Sequence, residues 1–126
     1  MTDDEMRDLL IDHMGRGFLE NIIALFKQEP ELARFIPDML GRENVSVRLG
    51  TTALVEELAG EHGTVLQHAV PGLIRLLEQE NPTIRGDAAY VLGVMRAPDA
   101  RGPLAARLGD DNPAVRQIAS EALADW

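Results

Sequence analysis

The sequence predicts an all-α protein, a right-handed α-solenoid of about three helical hairpins that follow N-terminal capping helices. Two observations predict this fold. A set of residue types recurs at fixed offsets around three asparagines. Within each set the apolar residues are three or four positions apart, which places them on one face of an α-helix.

The three asparagines Asn44, Asn81 and Asn112 anchor the repeat. After each anchor come a β-branched apolar residue at offset +3, an arginine at +4, a small residue at +7, and large apolar residues at +11 and +14. This pattern predicts a second helix of each hairpin, helix B, that begins just after the anchor. Its members are Val47, Arg48, Thr51, Val55 and Leu58; Ile84, Arg85, Ala88, Leu92 and Met95; and Val115, Arg116, Ala119, Leu123 and Trp126.

Apolar residues also recur before each anchor, at offsets −8 and −4, and predict a shorter helix A. They are Ile36 and Leu40, Leu73 and Leu77, and Leu104 and Leu108. Each anchor is therefore a corner where an asparagine side chain can cap helix B, and a following proline loses no hydrogen bond there. The first copy has Val45 in place of that proline. A hairpin with one apolar stripe per helix buries its stripes only by stacking on another copy.

These offsets divide one predicted domain, 1–126, into capping helices at 1–29 and repeats at 30–60, 61–96 and 97–126. In the caps, Met6, Leu9, Leu10 and Met14 form one helical stripe, and Phe18, Ile22 and Phe26 form a second. The stretch 15–17, Gly-Arg-Gly, predicts a break between them.

Three prolines bear on where each helix A begins. Pro37 and Pro103 are predicted in first turns, where a missing N–H is tolerated. For Pro71 two alternatives stay open: helix A begins near Gly72, or a longer helix is kinked there.

The motif Asn-Pro-x-Ile/Val-Arg, with small residues after it and leucine closing helix B, resembles HEAT repeats. The spacing of 31 residues between Asn81 and Asn112 is similar to the short HEAT-like repeats of phycobilisome-lyase-type proteins. The resemblance covers about residues 30–126. It implies a ladder of hydrogen bonds between neighbouring repeats, in which the +4 arginines pair with corner acids or carbonyls. The residues concerned are Arg48, Arg85 and Arg116, with partners such as Glu80, Asp110 or Asp111.

Charge and composition narrow the possible partners. The chain has 21 acidic and 12 basic residues, a formal net charge of −9 and no cysteine. Because phosphate backbones and anionic membranes attract Lys and Arg, neither nucleic acid nor membrane is an expected partner. The absence of cysteine excludes disulfides and thiolate chemistry. The acidic N-terminus and the lack of a long apolar run predict a soluble, cytoplasmic protein.

Residue types that carry catalysis are present but not in catalytic patterns. His62 and His68 are six positions apart, which does not put them on one helical face as metal ligands require. The acid pairs Glu56-Glu57 and Asp110-Asp111 are typical of solvated helix surfaces and caps. No nucleophile or phosphate-binding motif occurs. We therefore expect no enzyme activity, no metal and no cofactor.

The resemblance implies that helices B line the concave face of the array, with the side chains at offsets +5, +9 and +13 pointing into the groove. We expect this face, with its neighbouring acids, to bind a basic or amphipathic segment of a protein partner, with the only tyrosine as its anchor. The predicted groove residues are Glu56, Asp87, Tyr90, Gln117 and Glu121. A solvated surface with no partner remains the simpler interpretation of these residues.

Two further alternatives follow. By resemblance alone, the protein could be an accessory or lyase-like protein that binds a tetrapyrrole or another small ligand. Trp126, at offset +14, is expected either in the core of the last repeat or at a homodimer interface through the C-terminal end.

Overall fold

The computed structural model describes residues 1–124 and 126, and within them all regular structure is helical, with no β-strand. The predicted all-α fold class is confirmed. The chain forms two compact units, Met1–Ala69 and Val70–Trp126. The handedness, the number of hairpins and the repeat boundaries stay predictions.

The first unit contains the two N-terminal helices and the first corner. Helices α1 and α2 pack on each other, α1, α2 and α3 all pack on α4, and two 3₁₀-helices pack together. The elements in chain order are α1 Asp3–Gly15, α2 Leu19–Gln28, the 3₁₀-helix Pro30–Phe35, α3 Ile36–Leu40, α4 Val45–Glu61 and the 3₁₀-helix Gly63–Ala69. The break predicted at 15–17 is confirmed, and Gly17 has a φ of 87°, which favours glycine.

The start of α1 shows a signal that the repeat pattern does not contain. The Thr2 hydroxyl accepts a hydrogen bond from the Glu5 N–H at 3.1 Å, and the Glu5 carboxylate accepts one from the Thr2 N–H at 3.1 Å. This reciprocal capping box satisfies two backbone donors at the helix start.

The second unit contains the next two corners. Helix α5 packs on α6, α7 packs on α8, and α6 packs on α8. The elements are α5 Val70–Leu76, α6 Pro82–Met95, the 3₁₀-helix Pro98–Ala100, α7 Arg101–Ala106, the 3₁₀-helix Arg107–Gly109 and α8 Pro113–Leu123.

All three predicted corners are confirmed. The side-chain oxygen of Asn44 accepts from the Val47 N–H at 3.1 Å, and that of Asn81 accepts from the Thr83 N–H at 2.9 Å. Asn112 accepts from two backbone N–H groups at the start of α8, at 2.9 and 3.2 Å. Because the asparagine supplies the cap, the Asn44 corner forms without a following proline.

Each helix A follows a 3₁₀-helix, which the offsets did not predict. Pro37 and Pro103 lie in the first turns of α3 and α7, as expected. Pro71 is the second residue of α5, which begins at Val70. The α-helix thus begins two residues before Gly72, and it directly follows the 3₁₀-helix Gly63–Ala69. Proline fits this position because N–H groups in a first turn have no intrahelical acceptor.

Helices α6 and α8 pack closely because glycine lies at their contact. A Cβ atom on Gly93 would lie 2.6 Å from the Cβ of Ala122 and 3.0 Å from its Cα. The small residues at offset +7, including Ala88 and Ala119, are fully buried. Gly93, at offset +12, is a further small residue at this contact.

The apolar stripes end differently in the three copies. Leu58 is fully buried within α4, and Met95 is half-buried as the last residue of α6. Trp126 lies beyond the end of α8 at Leu123 and is half-buried. The helical stripe therefore does not reach offset +14 in the third copy.

We predict that Gly93→Ala lowers the free energy of unfolding by about 2 kcal/mol, because its methyl group would force α6 and α8 apart. Gly102→Ala is the matched control, since a Cβ there meets no atom within 4 Å. It should leave stability unchanged or raise it by about 0.5 kcal/mol. Urea unfolding measures both, and equal stability of the two variants would contradict the close α6–α8 contact.

Candidate functional site: a buried arginine network and an outward face of helices B

Arg85 is held in a buried network at the corner of the second unit. Its side chain is 9% exposed and that of Asp110 is 2% exposed. Arg85 Nε and Nη2 donate to the two carboxylate oxygens of Asp110 at 3.0 and 2.9 Å. Nη2 also donates to Asp111 Oδ1 at 2.9 Å, and Nη1 donates to the carbonyls of Gln79 and Glu80 at 2.8 Å each. These bonds match the five N–H donors of a guanidinium group.

The Asp110 carboxylate has further donors around it. Arg107 Nη1 lies 3.3 Å from Oδ2, and the Asn112 N–H donates to Oδ1 at 2.9 Å. The hydrogen bonds from Arg85 lower the pKa of Asp110 to about 2, although burial acts in the opposite direction. The same interaction raises the pKa of Arg85. The pair is therefore charged at neutral pH.

The three arginines expected in a ladder have different surroundings. Arg85 makes the contacts above, and Arg116 Nη1 donates to the backbone carbonyl of Asp110 at 2.6 Å. Arg48 lies half-buried in the first turn of α4. Because acceptors within the chain match the donors of Arg85, this network has little capacity to bind an external anion. The ladder across all repeats stays a prediction.

Tyr90 and Glu121, two of the predicted groove residues, line one depression between α6 and α8. Tyr90 is 42% exposed. The depression has a volume of about 220 Å³. Its walls come from both helices, with Tyr90, Gly93, Val94 and Arg96 on the α6 side and Ile118, Glu121 and Ala122 on the α8 side. We call this the Tyr90 depression.

The other predicted groove residues are placed around it or elsewhere. Gln117 Nε2 donates to Glu121 Oε1 at 2.8 Å, which orients that carboxylate. Asp87 lines an adjoining depression of about 250 Å³, and Ile118 lines both depressions. Glu56 is exposed on α4, in the unit Met1–Ala69. Glu56 and Asp87 each interact with at least one other residue.

One residue of the Tyr90 depression was not predicted from the sequence. Arg96, which lines the Tyr90 depression, is the C-cap of α6 and has the left-handed backbone conformation with a φ of 50°. No sequence signal marks it, because glycine or asparagine is usual there. In the unit Met1–Ala69, Leu49 on α4 has the offset +5 that was predicted to be on the groove face, and it is 65% exposed.

The histidines and acids are not gathered as a metal site would require. Across residues 1–124 and 126, no three His, Cys, Asp or Glu side chains converge on one point. His13 packs edge-on against Phe18, with ring centroids 5.7 Å apart, and its Nδ1 lies 3.0 Å from the Leu9 carbonyl oxygen. In the same part of the chain, no helix is both long enough and apolar enough to span a membrane.

Capped corners, short first helices and stacked second helices define an α-helical repeat protein. A family model described as HEAT repeats matches residues 39–124, which is more than half of the chain. The chain therefore belongs to the HEAT-repeat family, and the predicted family is confirmed. HEAT repeats are commonly protein-interaction scaffolds and are generally not catalytic. A search of curated proteins found no similar sequence.

We predict that Asp110→Asn lowers the free energy of unfolding at pH 7 by about 2 kcal/mol, because it removes the charge opposite buried Arg85. The pKa of Asp110 is lower in the folded protein than the usual value of about 3.9. Its contribution to stability is therefore complete above about pH 4 and is lost as the pH falls towards 2.

Urea unfolding of wild type and Asp110→Asn at several pH values tests this. The difference in the free energy of unfolding between wild type and Asp110→Asn should be large at pH 7 and should become smaller below pH 4. Asp99→Asn, at an exposed acid of the same unit, should change stability by less than about 0.5 kcal/mol. A gap that is the same at pH 7 and pH 2 would contradict the role of the Asp110 charge.

Proposed function

We propose that the chain is a non-catalytic scaffold that binds a basic or amphipathic segment of a protein partner on the outward face of its helices B. The observation that carries this proposal is the Tyr90 depression. An aromatic ring that is 42% exposed lines a hollow between two packed helices, with a carboxylate on the opposite wall. Aromatic side chains beside apolar hollows are frequent anchors of protein interfaces.

Charge supports a basic segment as the partner. The chain carries a net charge of −9, and Asp87 and Glu121 both lie on this surface. A negative surface speeds the encounter with a positive segment and disfavours negative ones. Val94, Ile118 and Ala122 support the amphipathic part of the proposal, because they offer apolar surface in the Tyr90 depression.

The surroundings of the acids support a non-catalytic role. A general acid or base works best when its pKa lies near the working pH. Asp110 has its pKa lowered to about 2 and both of its oxygens accept hydrogen bonds from Arg85. Its carboxylate is therefore used to hold the corner together.

No feature of the depressions specifically supports the alternative function, in which the protein binds a tetrapyrrole or another small ligand. Pockets for drug-sized ligands usually have volumes of about 300–1,000 Å³ and enclose most of the ligand. The Tyr90 depression, at about 220 Å³, suits a single side chain better. Two larger depressions, of about 460 and 450 Å³, are lined mostly by charged and polar residues rather than by the apolar side chains usual in ligand pockets.

We predict that the double substitution Tyr90→Ala/Glu121→Lys weakens binding of the natural partner at least tenfold, because it removes the anchor and reverses a charge. Proteins captured from the source lysate by wild type and by this variant are identified, and the affinity of the enriched partner is measured with purified proteins. Glu20→Lys, on an exposed turn of α2, is the control and should bind like wild type. If all three proteins bound the partner with equal affinity, the proposed binding face would be contradicted.

We also propose that two copies associate through the C-terminal end formed by α7 and α8. At offset −4, Leu40 and Leu77 are 0% and 1% exposed, whereas Leu108 is 46% exposed. In the other two copies this position is therefore buried. A second copy of the chain would cover it with the same kind of apolar surface.

We predict that Leu108→Glu shifts a concentration-dependent dimer to monomer, because it would bury a charge in the contact. Light scattering over a concentration series measures the molar mass of the wild type and of the variant. Leu9→Glu, at an exposed leucine of α1, is the control and should leave the mass unchanged. A wild-type protein that stays monomeric at millimolar concentration would contradict the proposal.

A further inference from the structure

Arg96 has a backbone conformation that its side chain does not favour. It ends α6 with φ 50° and ψ 43°, in the left-handed region. Among residues 1–124 and 126 it is the one non-glycine residue with positive φ. A Cβ atom makes this conformation less favourable than it is for glycine, which is why helices commonly end on glycine here.

The side chain of Arg96 lines the Tyr90 depression and is exposed. Its guanidinium group makes no ion pair and no side-chain hydrogen bond to any residue that the structure describes. Three of the arginines in the same unit, Arg85, Arg107 and Arg116, donate to acceptors in the chain. Unlike Arg75 and Arg101, which also have no such acceptor among the described residues, Arg96 lines the Tyr90 depression. Arg96 therefore presents an unpaired cation at the edge of an apolar hollow.

We infer that Arg96 binds a carboxylate of the partner segment while a neighbouring large apolar side chain of that segment enters the Tyr90 depression. The inference rests on the proposed function and names the residue types that the Tyr90 depression selects. Val94, Ile118 and Ala122 supply apolar wall atoms, and the volume of about 220 Å³ suits one inserted side chain. A guanidinium group is well suited to a carboxylate because it can donate two parallel hydrogen bonds.

The two walls of the depression carry opposite charges. Arg96 stands at the end of the α6 wall, and Glu121 stands on the α8 wall, where Gln117 orients its carboxylate. The complementary segment has an acidic residue on one side of the apolar residue and a basic residue on the other. This charge order also rejects the reversed segment, because like charges would then be adjacent.

A purely local role for Arg96 makes a different prediction. A cation at a helix C-terminus interacts favourably with the helix dipole. That role would affect stability and would not distinguish a carboxylate from a neutral amide on a bound peptide. Selectivity between those two groups is therefore the readout that separates recognition from helix capping.

The test begins with a display library of 16-residue peptides selected against the wild-type full chain. The enriched peptides should carry a large apolar residue with Asp or Glu near it. One such peptide and its acid-to-amide counterpart are then titrated against wild type, Arg96→Gly and Arg75→Gln. Glycine accepts the left-handed backbone, so Arg96→Gly should melt within about 3 °C of wild type. Arg75 is exposed on α5 and does not line the depression.

Wild type and Arg75→Gln should prefer the acidic peptide about fivefold, the upper range for an exposed ion pair, and Arg96→Gly should bind both peptides equally. The inference is overturned if Arg96→Gly keeps the preference, or if wild type shows none. Tyr90→Ala separates this inference from the proposed function. Suppose that Tyr90→Ala abolishes peptide binding but Arg96→Gly keeps the preference for the acidic peptide. The proposed binding face then stands, and only the role of Arg96 is contradicted. Binding that Tyr90→Ala leaves unchanged contradicts both.

Discussion

The ion pair between Arg85 and Asp110 fixes the start of α6 to the corner that leads into α8. Arg85 lies in the first turn of α6, and Asp110 precedes the asparagine that caps α8. At the other end of the same two helices, Gly93 allows contact with Ala122. The two helices are thus held at both ends, and the Tyr90 depression lies on the surface between them. The proposed binding surface depends on this arrangement.

Burying an ion pair is favourable only when the lost hydration is replaced. Here the guanidinium donors of Arg85 have two carboxylate groups and two backbone carbonyls as acceptors. Such a complete set offsets the desolvation of both charges, whereas loss of one partner would leave the other charge buried. Arg85, in the first turn of α6, is thus used in packing, whereas Arg96, the C-cap of the same helix, is exposed.

The corners could be predicted because their physics is local. An asparagine oxygen caps N–H groups two or three residues ahead, so the anchors Asn44, Asn81 and Asn112 are visible in the sequence. The contact at Gly93 could not be predicted in the same way, since it depends on how two helices cross. The left-handed backbone conformation of Arg96 could not be predicted either, because arginine is an unusual residue type in that conformation. The acid and aromatic at the depression were predicted, and the cation beside them was not.

Native-state amide hydrogen exchange tests most directly whether α6 and α8 form one packed structure. Ala88 and Ala119 are fully buried at equivalent positions of the two helices. If the helices depend on each other, their amides open in one cooperative event, with free energies of opening within about 1 kcal/mol of each other. Exchange of the α8 amides through a separate, much easier opening, while α6 stays protected, would contradict the account.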